Sequence, residues 1–205
     1  GTIVRLLAIP DSYLHIGSRK LFNALTRRCS PVERSRAADL LIGRELGELS
    51  TLDSIHEAPF DFIGTPEELA TMLDGWDAYH EIDHVRTAAD ELYSMGTALA
   101  GLDTVFDVRI DLSEIGPQPY YTGTVFQLYV EGIPSAAASG GRYDELLGHF
   151  GFSAPSVWFS LMLRKLEPHV GNADRFSAPE TVAVDATDFA EALEEAEKIR
   201  ESGRA

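Results

Sequence analysis

Apolar and polar residues alternate along Phe106-Asp107-Val108-Arg109-Ile110-Asp111-Leu112, the period of two that marks a strand with one buried face. The same period runs from Tyr120 to Glu131 and predicts a second strand. Ile115 to Pro119, with two prolines, cannot continue a ladder and reads as a connection or an edge. The first half of the chain has a different period. Leu21, Phe22 and Leu25 share one face of a helix predicted from Ser18 to Arg28. After Trp76, Ile82, Val85, Ala89, Leu92, Met95 and Leu99 recur at helical spacing, and Gly101 suits the stop. Ser30-Pro31-Val32-Glu33 and Thr65-Pro66-Glu67-Glu68 each place a capping hydroxyl, a first-turn proline and a returning glutamate at capping-box spacing. Glu57 to Ile63 between them reads as a loop.

The ends predict less regular structure. Thr2 to Ile9 reads as a strand without a polar lead-in, so Gly1 is an odd place for a domain to begin. Arg142 to Phe150 reads as the start of a helix, and Ser156 to Leu166 as a strand turning into one. Gly171 to Pro179 is polar and linker-like. Thr181 to Asp185 then reads as a short strand and Asp188 to Ser202 as an acidic helix. A strand and a helix alone do not make a stable α/β unit, so the chain is expected to be a piece of a longer protein. The expected division is 1–168 as a partial core, 169–179 as a linker and 180–205 as the truncated start of an α/β domain.

Composition narrows the function. Hydrophobic content of 44% and charged content of 24% are those of an ordinary globular chain, and no apolar run is long enough to span a bilayer. Cys29 is the only cysteine, which excludes internal disulfides and cysteine-cluster metal sites and fits a reducing cytoplasm. The formal net charge of −16 opposes a polyanion such as tRNA at long range. Arg19, Lys20, Arg27, Arg28, Arg34 and Arg36 form one basic cluster on the helices. It reads as a solvated face, with an anion or acidic-partner contact as the sharper alternative.

The chemistry-bearing motifs are Tyr120-Tyr121-Thr122-Gly123-Thr124-Val125-Phe126 and Ser139-Gly140-Gly141-Arg142-Tyr143-Asp144. Together they resemble the two histidine-pocket signatures of the histidyl-tRNA synthetase family, and either alone would be weak. The resemblance implies an α+β fold like that of class II aminoacyl-tRNA synthetases. That fold is an antiparallel sheet flanked by helices, dimeric, here with a helical insertion in its first half. It also implies that Tyr120 and Tyr121 lie near a histidine side-chain pocket with Gly140-Gly141 as a turn at its floor. A flat imidazole, both donor and acceptor, needs aromatic walls and hydroxyls of either role, which Tyr120, Thr122 and Tyr143 supply. The alternative is that the tyrosines merely pack the two faces of a strand while Arg142 pairs with Asp144 or Glu145.

Adenylate formation asks for more. In the family an Arg-Gly-Leu-Asp run precedes the tyrosine pair, and its arginine works on the reacting carboxylate and phosphate. Here those positions read Gly116-Pro117-Gln118-Pro119. The family's third motif, Gly-Phe-(small)-(apolar)-Gly-Leu-Glu-Arg, is here Trp158-Phe159-Ser160-Leu161-Met162-Leu163-Arg164-Lys165. Trp158 and Met162 replace glycines where ATP would lie, and Lys165 replaces an arginine's planar fork with a point charge. Two independent losses at the ATP site point away from ligation and toward a non-catalytic relative. The regulatory subunit of ATP phosphoribosyltransferase is such a family, and Gly148-His149-Phe150-Gly151 also looks more like it.

That resemblance implies a cytoplasmic protein of histidine biosynthesis. It implies a short-form catalytic subunit as partner, a homodimer within a hetero-oligomer and histidine as a possible effector. A ligase remains the alternative, because Glu180 to Arg204 resembles the start of a synthetase anticodon-binding domain. A scaffold with an empty pocket is a third reading. No cofactor is called for. His80-Glu81-Ile82-Asp83-His84 places two histidines four apart on the long predicted helix, a zinc-like spacing, but without a third ligand no metal site is assigned.

Overall fold

The computed structural model describes residues 11–49, 51–52, 55, 58–102 and 106–169. The chain separates into Gly1–His169 and Val170–Ala205, and only the first is described. The strand expected at Thr2 to Ile9, the linker and the C-terminal strand and helix lie outside the described residues.

Among the described residues six strands form one sheet: β1 Ser12–Ser18, β2 Ile63–Gly64, β3 Asp107–Asp111, β4 Thr124–Val130, β5 Ala138–Tyr143 and β6 Ser156–Leu161, ordered β2-β3-β1-β4-β5-β6. Four of the neighbouring pairs are antiparallel, as expected, and β1 with β3 is parallel. Parallel neighbours need a crossover, and the helical stretch between β1 and β3 supplies it. The apolar pattern does not flag β1. Its small polar residues Ser12, Gly17 and Ser18 obscure the period, although Ile16 is fully buried.

The helices are α1 Arg19–Leu25, α2 Pro31–Ile42, α3 Leu46–Leu49, α4 Pro66–Asp74, α5 Asp77–Glu81, α6 Asp83–Ala100 and α7 Leu163–Leu166. Both capping boxes form: Glu33 N–H donates to the Ser30 hydroxyl and Glu68 N–H to that of Thr65, and each glutamate carboxylate returns to its cap N–H. The helix expected after Trp76 breaks at Ile82, which is extended (ψ 102°) and separates α5 from α6. His80 and His84 therefore lie on different helices, and the His80 ring bonds the Asp74 carbonyl at 3.0 Å. Among the described residues no three His, Cys, Asp or Glu side chains could share a metal, and no helix is long and apolar enough to cross a membrane.

Register assigns the two faces of the sheet. Leu14, Ile16, Val108, Ile110, Phe126 and Leu128 share one, where Ile16, Val108 and Ile110 are buried with Val85 and Leu92 of α6. Met95, expected on the buried side of α6, is exposed, and Gly96 is buried instead. Its missing side chain lets the helix approach, because a Cβ there would lie 2.5 Å from Ile110.

The opposite face carries His15, Gly17, Gln127, Tyr129 and Gly141. The chain leaving β3 crosses it at Gly17, where an added Cβ would stand 1.9 Å from the Glu114 carbonyl oxygen. Gly17→Ala is therefore expected to cost about 3 kcal/mol or more, since the clash is with backbone. Gly47→Ala on α3, with open space around it, should be neutral or stabilise by up to about 1 kcal/mol. Urea unfolding of the two variants checks the contrast.

Candidate functional site

An ionic cluster anchors the crossing chain. Leu41, Ile42 and Gly43 close α2 in a Schellman arrangement, with Glu45 N–H bonded to the Leu40 carbonyl at 2.8 Å and Arg44 N–H to that of Leu41 at 3.1 Å. The left-handed position of that motif usually falls to glycine, but here it is Arg44, at φ 59°. Its guanidinium donates to the Asp111 carboxylate at 2.8 Å, to Glu114 at 3.1 Å, to the Tyr129 hydroxyl at 3.3 Å and to the Ser113 hydroxyl. Asp111 is fully buried and also accepts from Ser113 N–H at 3.0 Å and from His15 Nδ1 at 3.0 Å. A carboxylate only accepts, so the imidazole proton is on Nδ1. The His15 ring meets Tyr129 edge-on at 4.9 Å.

This cluster sorts its carboxyls. Burial alone would raise Asp111, but hydrogen bonds from His15 and Ser113 and the charge of Arg44 outweigh it and hold it at about 2. Burial dominates at Glu114 and raises it, despite Arg44 and the Gly116 N–H. A cavity of about 40 Å³ between Arg44, Glu114, Gly116 and Gln127 could hold a water. A larger hollow, about 500 Å³ on one face of α2 by Val32 and Arg36, is an open depression without a buried polar group among its lining residues.

The loop pinned by Glu114 delivers Gly116 against Tyr121. Glu114 accepts from Gly116 N–H at 3.0 Å, and Gly116 has φ +72°. Cβ atoms built on Gly116 and Gly141 would lie 2.5 Å and 2.7 Å from the Tyr121 ring. The ring is thus clasped between two glycines and is 3% exposed. Burial raises its phenol, and the neighbouring Trp158 side chain lowers it by less. Tyr120 and Tyr121 precede β4 rather than lying on it as expected, in a turn where Tyr121 N–H reaches the Gln118 carbonyl. Tyr120 meets Tyr121 at 5.2 Å and Tyr143 at 5.5 Å between ring centroids. Thr122 N–H bonds the Arg142 carbonyl at 3.0 Å, and the Thr122 hydroxyl accepts from Asp144 N–H at 3.0 Å.

Not every residue singled out in the sequence joins this cluster. Gly140 and Gly141 are strand residues of β5, not a turn, because both pair with β4 and β6. Pleating sends Gly140 to the other face, against Phe126 and Phe159. Arg142 points outward and holds Asp144 at 2.9 Å, the ion pair weighed above. The expected helix from Arg142 shrinks to a 3₁₀ turn, Leu146–Phe150. Trp158 pairs with Gly141 and shares its face. Met162 and Lys165 lie at the far end of β5 from Tyr143: Met162 N–H bonds the Ala137 carbonyl, and the Lys165 ammonium bonds the Ser135 hydroxyl and the Ala136 carbonyl. Arg44, Asp111, Glu114 and His15 are absent from the sequence-based site. The only hint was a polar Asp-Leu-Ser-Glu run at the end of a strand.

A sequence profile described as histidyl-tRNA synthetase matches residues 2–166. The chain belongs to that family. It is 34% identical over 136 residues to an ATP phosphoribosyltransferase regulatory subunit of Geobacillus sp. (strain WCH70), covering 65% of this chain and 34% of that protein. A protein of the same name in Neisseria meningitidis serogroup C (strain 053442) is 35% identical over 129 residues, covering 60% of this chain and 33% of that one. The chain thus spans about a third of these relatives. Similar folds include an ATP phosphoribosyltransferase regulatory subunit/histidyl-tRNA synthetase from Bacillus halodurans (TM-score 0.66, 22% identity, 99% of this chain and 55% of that one). Histidyl-tRNA synthetase from Nostoc sp. PCC 7120 is comparable (TM-score 0.67, 22% identity, 98% and 53%). A chain of the ATP phosphoribosyl transferase (HisG:HisZ) complex from Thermotoga maritima follows (TM-score 0.52, 20% identity, 74% and 53%).

The ionic cluster has a pH signature. With its pKa held below the ordinary value, Asp111 contributes stability above about pH 4 that is lost as pH falls toward about 2, on the order of 2 kcal/mol. Raised Glu114 acts in the other sense, losing its contribution as pH rises above its unfolded value, so it does not mask this window. Asp111→Asn should lower stability at neutral pH and flatten the unfolding free energy between pH 4 and 2, which chemical denaturation across that range measures.

Proposed function

We propose that this chain is the synthetase-like part of a regulatory subunit of ATP phosphoribosyltransferase, acting in the first step of histidine biosynthesis. The names of its curated relatives support this reading, and the surroundings of Tyr121 support its non-catalytic half. Trp158 sits beside Gly141 on the tyrosine face, so an indole stands where a nucleotide would need open sheet. Gly116 brings no guanidinium, and Glu114, which accepts from the Gly116 N–H, supplies no positive charge for a phosphate. Lys165 is held at the other end of β5 by Ser135 and Ala136. Adenylation by this chain is accordingly lost.

The tyrosine cluster supports a retained amino-acid pocket for histidine as effector. Tyr120, Tyr121 and Tyr143 supply aromatic walls, and Tyr120 and Tyr143 keep partly exposed faces. Regulation then follows from linkage: histidine shifts the activity of a short-form catalytic subunit only by favouring one assembly state through differential affinity. The working unit is a homodimer within a cytoplasmic hetero-oligomer, and the acidic chain does not serve tRNA.

Two measurements test this reading on the full native chain. Histidine- and ATP-dependent pyrophosphate exchange should stay at background, while addition of the chain to a short-form catalytic subunit should raise ATP phosphoribosyltransferase activity in a histidine-sensitive way. Exchange above background would restore the ligase reading. Restoring the family arginine should not restore exchange either. Gly116→Arg forces a side chain into φ +72° and onto the Tyr121 ring, at a cost of about 2–4 kcal/mol. Urea unfolding of that variant reads the cost directly.

A further inference from the structure

Five members of the basic cluster behave as a partner-rich or solvated surface, but Arg19 does not. Lys20 pairs with Glu91, Arg34 donates from Nη2 to the Thr26 carbonyl although its Nε is buried without an acceptor, Arg36 approaches Glu48, and Arg27 and Arg28 are exposed. Arg19 is 8% exposed, and among the described residues its Nη1 is buried without a hydrogen-bond acceptor and no carboxylate pairs with it. The guanidinium carbon lies 5.3 Å from the Phe22 ring centre, and burial alone lowers its pKa. A buried cation facing only an aromatic ring costs several kcal/mol unless an anion completes it.

Its place in the fold suggests which anion. Arg19 N–H donates to the Gly123 carbonyl at 3.0 Å, which ties the residue to the end of the Tyr120-Tyr121-Thr122 turn. Phe22 shares a core cluster with Ile115, whose neighbour Gly116 packs on Tyr121. Arg19 thus leaves β1 beside the turn that carries Tyr120 and Tyr121, while its guanidinium lies against Phe22 of the core that also holds Ile115. We propose that Arg19 is the carboxylate-binding residue of the tyrosine pocket, a fork for the carboxylate of a bound amino acid supplied from α1 instead of from position 116. A guanidinium matches a carboxylate with two parallel N–H donors, which a lysine could not reproduce. The assignment of the carboxylate's owner rests on the histidine-pocket reading above; the anion site itself rests on Arg19.

The test compares wild type with Arg19→Met in the full native chain. Titration calorimetry uses histidine and histidinol, which shares the imidazole but lacks the carboxylate. Thermal midpoints are taken in sodium acetate and in sodium chloride at equal ionic strength. Wild type should prefer histidine over histidinol, and Arg19→Met should lose about 10–100-fold for histidine with histidinol unchanged. Without ligand the variant should melt at or above the wild-type midpoint, since an uncompensated buried charge is gone. If neither imidazole compound binds but acetate raises the midpoint of wild type alone, the histidine pocket fails and the carboxylate site stands. Histidine binding that is equal in both proteins, an equal loss for both ligands, or no acetate effect specific to wild type when nothing binds would each overturn the proposal.

Discussion

The face of the sheet that carries His15, Gly17 and Tyr129 depends on Arg44. One guanidinium gathers Asp111, Ser113, Glu114 and Tyr129, and so fastens the chain leaving β3 across β1 and β4. Two buried carboxylates side by side repel, and Arg44 makes the arrangement tolerable by standing against both. The anchor has its own cost, because Arg44 must adopt the left-handed conformation that ends α2. Asp111 gains enough from its donors to stay ionised in spite of complete burial, whereas Glu114, bonded to fewer groups, is pushed toward protonation. The fastening works only because Gly17 leaves room for the crossing backbone.

Tyr121 inherits its position from that anchor. Glu114 fixes Gly116, and Gly116 with Gly141 leaves a slot one aromatic ring wide. The ring is therefore a structural wall more than a free ligand group, and Trp158 lies beside Gly141 on the same face. Tyr120 and Tyr143, edge to face and only half-buried, are the surfaces left for an incoming ring. On the proposed reading, a family pocket keeps its aromatic walls while nucleotide chemistry is lost. The local packing is consistent with it: Trp158 pairs beside Gly141 on the tyrosine face, and the loop with Gly116 in place of the family arginine packs tightly on the tyrosine.

Much of the fold was legible in the residues. Capping is a local affair of a hydroxyl, a proline and a glutamate within four residues, so Ser30 and Thr65 announced α2 and α4. Alternation identified β3 and β4, because one side of each strand packs on apolar helices. The pattern failed where a face is polar or bare. β1 alternates serines, His15 and Gly17 with its few apolar residues, since its outer face meets the crossing chain rather than a helix. The break at Ile82 was hidden for a different reason: apolar spacing continued through it while the backbone did not.

The sequence by itself determined the family, the helical excursion between strands and the identity of the aromatic and glycine motifs, because these are carried by residue type at short spacing. Only the tertiary structure decided what those residues do for one another. It placed Gly140 and Gly141 on opposite faces, since pleating alternates side chains, and it turned Gly116 from a missing arginine into a required glycine through a positive φ and a ring 2.5 Å away. It also separated Arg19 from the exposed basic residues by burying it with no carboxylate partner among the described residues. Charge and spacing are properties of the chain, but burial and partnership are properties of the packed molecule, and those set the energy of a charged side chain.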